Sequence, residues 1–176
     1  MILDEYRKRC IKPSDINEHL PILRAYTEDC ESVVELGVRS VVSTWAFLAG
    51  HPKKMLSMDI VHPDEYKTHD PESNINLALE MAKQEGIDFE FKLGDSTKIG
   101  IPECDLLFID TEHVRDQLSQ EFKLHNAKVK KYIILHDTES AKELWGAIGW
   151  LLFEGKWKVK AHYQNNNGLT ILERII

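Results

Sequence analysis

Short runs of apolar residues recur along the chain, and stretches whose apolar positions have helical spacing separate them. The runs predict strands at 32–36, 53–60, 88–93, 104–110 and 131–137. The intervening stretches predict helices at 42–49, 73–84, 115–127 and 144–152. Strands that are apolar throughout and alternate with helices are typical of a parallel sheet covered on both faces. We therefore predict an α/β fold.

The end of the chain breaks this alternation. Two further strand-like runs, 156–163 and 169–175, are joined by "QNNNG" at 164–168. Asn and Gly tolerate the left-handed backbone that tight hairpin turns need, and the connection is too short for a helix. The last strand should therefore run antiparallel to its neighbour. The prediction becomes a seven-stranded, mostly parallel sheet with helices on both faces and a C-terminal antiparallel hairpin.

The length of 176 residues suits a single domain, 1–176, with one substantial core. Residues 1–13 are polar and are expected to form a loosely held N-terminal arm. Residues 14–28 carry apolar positions at helical spacing and predict a short N-terminal helix. The α/β core would then span 30–174.

Two helix starts carry capping signals. Asp70, followed by Pro71, is a good N-cap for the helix predicted at 73–84. Ser140 and Glu143 have the spacing of a capping box ahead of the helix at 144–152. Both signals strengthen the predicted alternation of strands and helices.

Charge and cysteine content narrow the function classes. The formal charge is −7, with 29 acidic against 22 basic residues and no basic stripe, so a nucleic-acid partner is not expected. Cys10, Cys30 and Cys104 are far apart and odd in number, which favours a reducing, cytoplasmic setting over a disulfide framework. No stretch approaches the ~18 apolar residues of a membrane span. We therefore expect no membrane partner.

Polar residues follow five successive predicted strands. They are Glu35 and Gly37, then Asp59, then Asp95 and Ser96, then Asp110, Glu112 and His113, and finally His136 and Asp137. A single Asp at a strand end is commonly only a turn former. Ligands of open parallel sheets, however, bind at the carboxyl ends of the strands, and these residues share that edge. Their recurrence predicts a binding site.

The loop after the first strand suits an anion. Gly37 allows close approach of a ligand, and the N-terminus of the next helix offers free N–H groups, with hydroxyls from Ser40, Ser43 and Thr44 nearby. A G-x-G-x-x-G fingerprint is absent, which disfavours a pyrophosphate-bearing cofactor and favours a smaller anion such as a carboxylate. Asp59 stands after the second strand, where an acid takes ribose hydroxyls. A nucleoside with an amino-acid tail fits this set.

These motifs together carry a resemblance. The order of "VVELGVRS", Asp59, "GDS", "FID", "ILHDT" and "NNNGLTILER" resembles a class I S-adenosylmethionine-dependent methyltransferase over roughly 30–174. The chain is most similar to the small-molecule O-methyltransferases grouped with the macrocin, rhamnosyl and cephalosporin-hydroxylase-like proteins. The resemblance implies a Rossmann-like fold, S-adenosylmethionine as cofactor, and methyl transfer to an oxygen of a small molecule or sugar.

The resemblance also implies roles for individual residues. Glu35 and Gly37 would lie beside the methionine moiety, and Ser43, with Ser40 nearby, would lie at its carboxylate. Asp59 would bind the ribose, Asp95 and Ser96 would lie near the adenine, and Asp110 would lie beneath the sulfonium.

Val41 departs from the pattern, because many relatives have a second glycine there. A β-branched residue does not easily adopt positive φ, so Val41 would hold backbone and cofactor apart. Alternatively, Val41 starts the next helix and points to the core. The second interpretation is the one we favour.

Methyl transfer to a hydroxyl needs a metal or a base, whereas a carboxylate acceptor needs neither. The resemblance places metal ligands at Asp110 and Asp137, with His136 or Thr138 beside them. Magnesium prefers oxygen ligands, so His136 as the third ligand would suit manganese, iron or zinc better. Alternatively, Asp137 only caps the next helix and His136 is inert. We assign His113 as a candidate general base, with a surface histidine as the alternative.

A second class of function stays open. The same fold can serve as a non-catalytic cofactor-binding or scaffold protein, which Val41 and the incomplete metal set would favour. The sequence does not identify the acceptor, and an oligomer is compatible with it.

Overall fold

The computed structural model describes residues 1–66 and 74–175. Its seven strands are β1 Ser32–Leu36, β2 Lys54–Asp59, β3 Asp88–Leu93, β4 Cys104–Ile109, β5 Val129–His136, β6 Trp157–Tyr163 and β7 Leu169–Arg174. Its α-helices are α1 Ile2–Ile11, α2 Leu20–Glu28, α3 Val42–Ala49, α4 Ile75–Gln84, α5 Arg115–His125 and α6 Leu144–Phe153. Each predicted strand and helix of the core is present.

All seven strands form one sheet in the order β3-β2-β1-β4-β5-β7-β6. Strands β1 to β5 are parallel, whereas β7 runs antiparallel to both β5 and β6. The predicted Rossmann-like α/β fold with its C-terminal hairpin is therefore confirmed. The chain moves outward from β1 to β3 and then returns to β4, so the strand order reverses between β1 and β4. Ligands of such sheets bind in the crevice at this reversal.

Helices cover both faces of the sheet. Helices α1 to α4 pack on one face, around Leu20, Trp45 and Ile75. Helices α5 and α6 pack on the other, through Phe122 and Ile148. The strand carbonyl ends between these two layers are left open for a site.

The N-terminal residues are more ordered than the sequence indicates. Most of 1–13, expected as a loosely held arm, forms α1, whose Ile2 and Tyr6 are buried against the core. The guanidinium of Arg9 lies 5.3 Å from the ring centroid of Trp45. Two apolar residues at i and i+4 in a charged stretch are a weak signal, because tertiary packing and not propensity stabilises so short a helix. Of 14–28, only Leu20–Glu28 is α-helical.

The two capping predictions have different outcomes. Asp70 and Pro71 lie outside the described residues, and α4 begins after Asn74, whose side chain accepts hydrogen bonds from the two N–H groups of residues 76 and 77. The predicted Ser140–Glu143 capping box is not formed, so that prediction is wrong. The Ser140 hydroxyl donates to Asp137 Oδ1 (2.6 Å), and the Glu143 carboxylate accepts from the backbone N–H of Arg115 (3.0 Å), so both side chains serve neighbouring loops.

Candidate functional site

A cleft of about 460 Å³ opens at the carboxyl ends of β1 to β4. We call it the strand-end cleft. The predicted site residues that line it are Gly37, Ser40, Ser43, Asp59, Asp95, Ser96, Asp110 and His113. Glu35, His136 and Asp137 are not among its lining residues. The structure thus brings most of the predicted residues to one site and sets three of them behind or beside it.

Gly37 allows the ends of β1 and β4 to meet. Its φ is +88°, and a Cβ built on it would lie 1.9 Å from the backbone oxygen of Asp110. The Gly37 N–H donates to the Met58 carbonyl, and the Asp110 N–H donates to the Leu36 carbonyl. Any side chain at position 37 would therefore displace the turn that carries Asp110.

Val41 is left-handed and buried. Its φ of 57° and ψ of 30° occupy the region that favours glycine, and its side chain is fully buried in the core. The expectation that a β-branched residue avoids this conformation is wrong here, while the interpretation that it points to the core at the start of α3 is confirmed. The strain costs about 1–2 kcal/mol. Because Val41 does not line the cleft, it does not separate backbone and ligand.

Glu35 is a buried anchor beneath this loop. Its carboxylate accepts hydrogen bonds from three hydroxyls, those of Ser43 (2.5 Å), Thr44 (2.9 Å) and Ser57 (2.6 Å). Burial outweighs these bonds and raises the pKa of Glu35 to about 7. The hydroxyl of Ser43 therefore faces Glu35, although Ser43 also lines the cleft. The Ser40 hydroxyl makes no hydrogen bond to another described residue, and Ser40 lines the cleft.

Asp59 both shapes the cleft and faces it. Its Oδ2 accepts from the N–H groups of Val38 (2.7 Å) and Arg39 (2.9 Å), which fixes the loop after β1. Its Oδ1 accepts from the N–H of Val61 (3.0 Å) and from the Tyr66 hydroxyl (2.9 Å). Tyr66 thus occupies a position from which another hydroxyl could donate to Asp59. Burial, aided by Asp59, raises the pKa of Tyr66 to about 12.

The far end of the cleft is organised by a residue that the sequence analysis missed. Glu121, on α5, is fully buried and accepts from the hydroxyls of Ser96 (2.6 Å) and Thr111 (2.9 Å), so it ties the β3 loop to the β4 loop. Burial raises its pKa. A hydrogen bond from Lys98 lowers the pKa of Asp95 to about 2. An acid within an amphipathic helix gives no signal of burial in a single sequence.

Four side chains meet beside the cleft, at the ends of β4 and β5. We call Asp110, His113, His136 and Asp137 the Asp–His cluster. His113 Nε2 lies 2.8 Å from Asp137 Oδ2 and 3.3 Å from Asp110 Oδ1. His136 Nδ1 lies 3.1 Å and 3.3 Å from the same two oxygens. Two imidazoles therefore share two carboxylates.

The two carboxylates favour the protonated form of both imidazoles. Hydrogen bonds to Asp110 and Asp137 raise the pKa of His113 to about 9. Burial alone would lower the pKa of His136, but the same carboxylates outweigh it and raise that pKa to about 10. Burial also opposes ionisation of Asp137, yet bonds from His113 and His136 hold its pKa far below the usual range. The direction of the His113 shift favours the imidazolium form at neutral pH, and an imidazolium cannot accept a proton without first losing one.

The structure brings together a second candidate set of metal ligands, while the predicted set stays a prediction. Ligand atoms of Asp110, His113 and Asp137 all lie within 4.8 Å of one another and could hold a cation. His136, predicted as a ligand, lies behind them, and its Nε2 faces the backbone oxygens of Asp15 (3.1 Å) and Asn166 (3.2 Å). The reason is local. His136 ends a buried strand, whereas His113 lies on a loop and reaches the two carboxylates from the cleft side.

The turn of the C-terminal hairpin supports the cluster. The Asn166 carbonyl accepts from both His136 and the buried His19 (3.2 Å each), and the Asn166 side chain bonds the backbone of Ser14 and Glu18. The Asn167 carbonyl accepts from the N–H groups of residues 139 and 140, next to Asp137. Sequence analysis identified this turn but not this role.

No protein-family model and no curated protein sequence matches this chain. Solved structures do match it. An SAH-bound methyltransferase from Podospora anserina aligns with a TM-score of 0.63 and 13% identity over 99% of this chain and 88% of that one. The fold is that of class I methyltransferases. The correspondence with the predicted fold is therefore established, while the predicted subgroup is not.

Two further solved structures with this fold have names that refer to different substrates. A putative caffeoyl-CoA O-methyltransferase from Staphylococcus aureus aligns with a TM-score of 0.63 and 13% identity, over 89% of this chain and 83% of that one. An rRNA methylase from Escherichia coli aligns with a TM-score of 0.61 and 13% identity, over 91% of this chain and 65% of that one.

In the part of the chain that the structure describes, no helix is long and apolar enough to cross a membrane.

Proposed function

We propose that this protein is an S-adenosylmethionine-dependent methyltransferase that methylates an oxygen of a small molecule or sugar with the help of a divalent metal. The observation that carries the proposal is the Asp–His cluster at the edge of a cleft placed where this fold binds its ligand. The cleft supplies a cofactor site, and the cluster supplies charge beside it.

The charge of the cleft suits the cofactor. Gly37 lines the cleft and brings no side chain to it. The acids on the cleft wall are Asp15, Asp59, Asp95, Asp110 and Glu112, against the cations Arg39 and His113. A wall with this excess of acid favours a sulfonium cation.

Each end of the cofactor has a candidate partner. Its carboxylate would lie at the N-terminus of α3, with Ser40 as a hydroxyl donor. Its ribose hydroxyls would donate to Asp59 in place of the Tyr66 hydroxyl. Its adenine would lie at the far end, near Asp95 and Ser96. Glu35 and Ser43 would act indirectly, by holding the first turn of α3.

Asp110, His113 and Asp137 would hold the metal. Two carboxylates and one imidazole suit manganese, iron or zinc better than magnesium. When bound, the metal supplies a positive charge that makes an acceptor hydroxyl more acidic. The ligands must release the proton that His113 now shares with the two carboxylates.

The protein's own residues orient the acceptor. Methyl transfer forms a carbon–oxygen bond, breaks a carbon–sulfur bond and releases the acceptor proton. Asp110 lines the cleft and is ionised at neutral pH, because hydrogen bonds from the two histidines outweigh burial and lower its pKa, so its carboxylate can accept a hydrogen bond from the acceptor hydroxyl. His113 can take the proton only once its own is gone. His136 and Asn166 keep Asp137 in position from behind.

The cleft also limits the acceptor. Its volume lies toward the lower part of the ~300–1,000 Å³ range of ligand pockets, so a cofactor would fill much of it. The acceptor would then lie at the rim, near His113. An acidic wall disfavours a polyanion, which supports a small neutral acceptor over RNA.

Calorimetric titration with S-adenosylhomocysteine tests the cofactor site. We expect micromolar binding by the wild type, loss of binding in Asp59→Ala, and no change in the control Asp116→Asn, an exposed acid on α5 outside the cleft. Absence of binding by a folded wild type, or undiminished binding by Asp59→Ala, would contradict the proposal.

The second candidate is a non-catalytic protein with the same fold. The Tyr66 hydroxyl on Asp59 favours it, because this bond occupies an acceptor that the ribose would need. No binding of S-adenosylhomocysteine by the folded wild type would support this candidate, and so would binding of cofactor without methyl transfer to any hydroxylated acceptor, with and without manganese.

A further inference from the structure

Helix α6 is apolar on the side that faces away from the core. Its buried side consists of Leu144, Ala147, Ile148 and Leu151. Gly146, Gly149, Trp150 and Phe153 form a second stripe, at spacings of i, i+3, i+4 and i+7, and all four are exposed. A helix on a protein surface ordinarily has polar residues on its outer side. This face is independent of the strand-end cleft and of the proposed function.

The two aromatic side chains are unusually open to solvent. Trp150 is 72% exposed and Phe153 is 82% exposed, and their rings contact each other edge to face with centroids 6.0 Å apart. Each ring can contribute roughly 150–250 Å² of surface when it is covered. A contiguous aromatic pair of this size marks an interaction site more often than a neutral surface.

The shape of the stripe suits a copy of itself. At Gly149, beside Trp150, an added Cβ would meet no atom within 4 Å, so the backbone is bare at the surface. A groove of about 860 Å³ runs beside Trp150 between α5 and α6, with Phe122 and Leu151 in its lining. Large rings next to a bare backbone and a groove form protrusions and hollows on one surface. A two-fold axis places the protrusions of one copy over the hollows of the other.

The charges along the groove are also self-complementary. Lys123 lies on the α5 side and Glu154 on the α6 side. Neither has an ion-pair partner among residues 1–66 and 74–175. In an antiparallel arrangement about a two-fold axis, each Lys123 can face the Glu154 of the second copy. A partner of a single charge sign would satisfy only one of the two walls.

The two rings can form the centre of a specific contact. Their exposed parts amount to roughly 300 Å² in each copy. Stable interfaces bury ~800 Å² per partner, so the contact would extend beyond the rings and the groove onto the neighbouring surface. Aromatic residues at the centre and charges at the rim are the usual arrangement of such contacts.

We propose that this surface, the α5/α6 face, is the contact between two copies of this chain in a two-fold symmetric dimer. It is defined by Phe122, Lys123, Gly149, Trp150, Phe153 and Glu154. The proposal identifies the partner as a second copy because shape and charge are both complementary to themselves.

Analytical ultracentrifugation of the full chain over a range of concentrations tests the proposal. We expect the wild type to sediment with twice the monomer mass. Trp150→Glu with Phe153→Glu should raise the dissociation constant at least about a hundredfold. The matched control is Ile11→Glu, an equally exposed apolar residue at the end of α1 (83%), which should stay dimeric. Thermal unfolding of each variant confirms that it is folded.

A charge exchange tests the two-fold arrangement. Lys123→Glu alone should weaken the dimer about tenfold, and Lys123→Glu combined with Glu154→Lys should restore most of the affinity. A monomeric wild type at high micromolar concentration, or a dimer that survives the double aromatic substitution, would overturn the proposal. So would a monomer that binds single-stranded RNA through Trp150, since that would identify a different partner.

Discussion

The carboxylates on the two sides of the site have different hydrogen-bond donors. At the ends of β1 and β2, the donors to Glu35 and Asp59 among residues 1–66 and 74–175 are hydroxyls and backbone N–H groups. At the ends of β4 and β5, Asp110 and Asp137 face the imidazoles of His113 and His136. Hydroxyl and N–H donors keep their protons near neutral pH and so fix a loop. Protonated imidazoles can lose their protons, so the second side should respond to pH and, under the proposed function, would exchange protons for a metal.

Gly37 joins the two sides of the site, and its substitution should have the largest effect on stability. Gly37→Ala should destabilise the protein by about 3–5 kcal/mol, because the new Cβ clashes with the Asp110 carbonyl and the residue keeps a positive φ. The control is Gly86→Ala, whose φ is also positive (+78°) but whose Cβ would meet nothing within 4 Å, and about 1 kcal/mol is expected. Urea unfolding measures both. Equal losses in the two variants would contradict this account.

The pH dependence of stability tests the cluster side. A histidine whose folded pKa is raised stabilises the protein below its ordinary pKa, and that contribution is lost as pH rises through the folded value. For His136 the pH window runs from 6.5 to about 10. A tenfold change in proton affinity corresponds to about 1.4 kcal/mol. Because His113 interacts with the same two carboxylates, the two contributions overlap, and we expect the free energy of unfolding to fall across this window by about 2–4 kcal/mol.

His136→Gln should flatten this fall, because it removes the buried group that gains the proton. The exposed His51 provides the comparison, and His51→Gln should leave the pH profile unchanged. Unfolding free energies measured near neutral pH and at two alkaline pH values inside the window are sufficient. A wild-type profile that is level across the window would show that the cluster does not hold extra protons.

The hairpin turn tests how far the cluster side depends on distant support. Asn166→Ala removes the two hydrogen bonds of its side chain to the Ser14 carbonyl and the Glu18 N–H, and it disfavours the φ of 46°. We expect a loss of about 1–2 kcal/mol in stability and weaker manganese binding, with cofactor affinity unchanged. Asn166→Gly keeps the positive φ and should lose less. Equal effects on metal and cofactor would mean that the turn serves the fold in general.

Tyr66→Phe has the smallest expected effect and tests the cofactor side. The change removes the hydroxyl that donates to Asp59 Oδ1 and leaves the ring in place. Under the proposed function, affinity for S-adenosylhomocysteine should rise about threefold to tenfold, because ribose hydroxyls no longer compete for that oxygen. Calorimetry measures the change. A lower affinity would show instead that Tyr66 contacts the bound cofactor.

The sequence predicts the fold and the edge of the sheet that carries the site, because apolar periodicity and strand-end residues are local properties. It does not predict which of the side chains at that edge line the cleft and which are buried behind it. His113 and His136 both lie beside the two carboxylates, and only the tertiary structure shows that His113 lines the cleft while His136 is buried. Glu121 and Asn166 act over long sequence separations, and the left-handed Val41 is imposed by packing against the core. None of these leaves a local pattern.

The central claim is that the Asp–His cluster exchanges protons for a divalent metal. The most direct test is calorimetric titration of manganese near neutral pH in two buffers of different ionisation enthalpy, which counts released protons. We predict binding with release of about one proton per ion, and loss of both in Asp137→Asn. Manganese binding without proton release, or undiminished binding by Asp137→Asn, would contradict the claim.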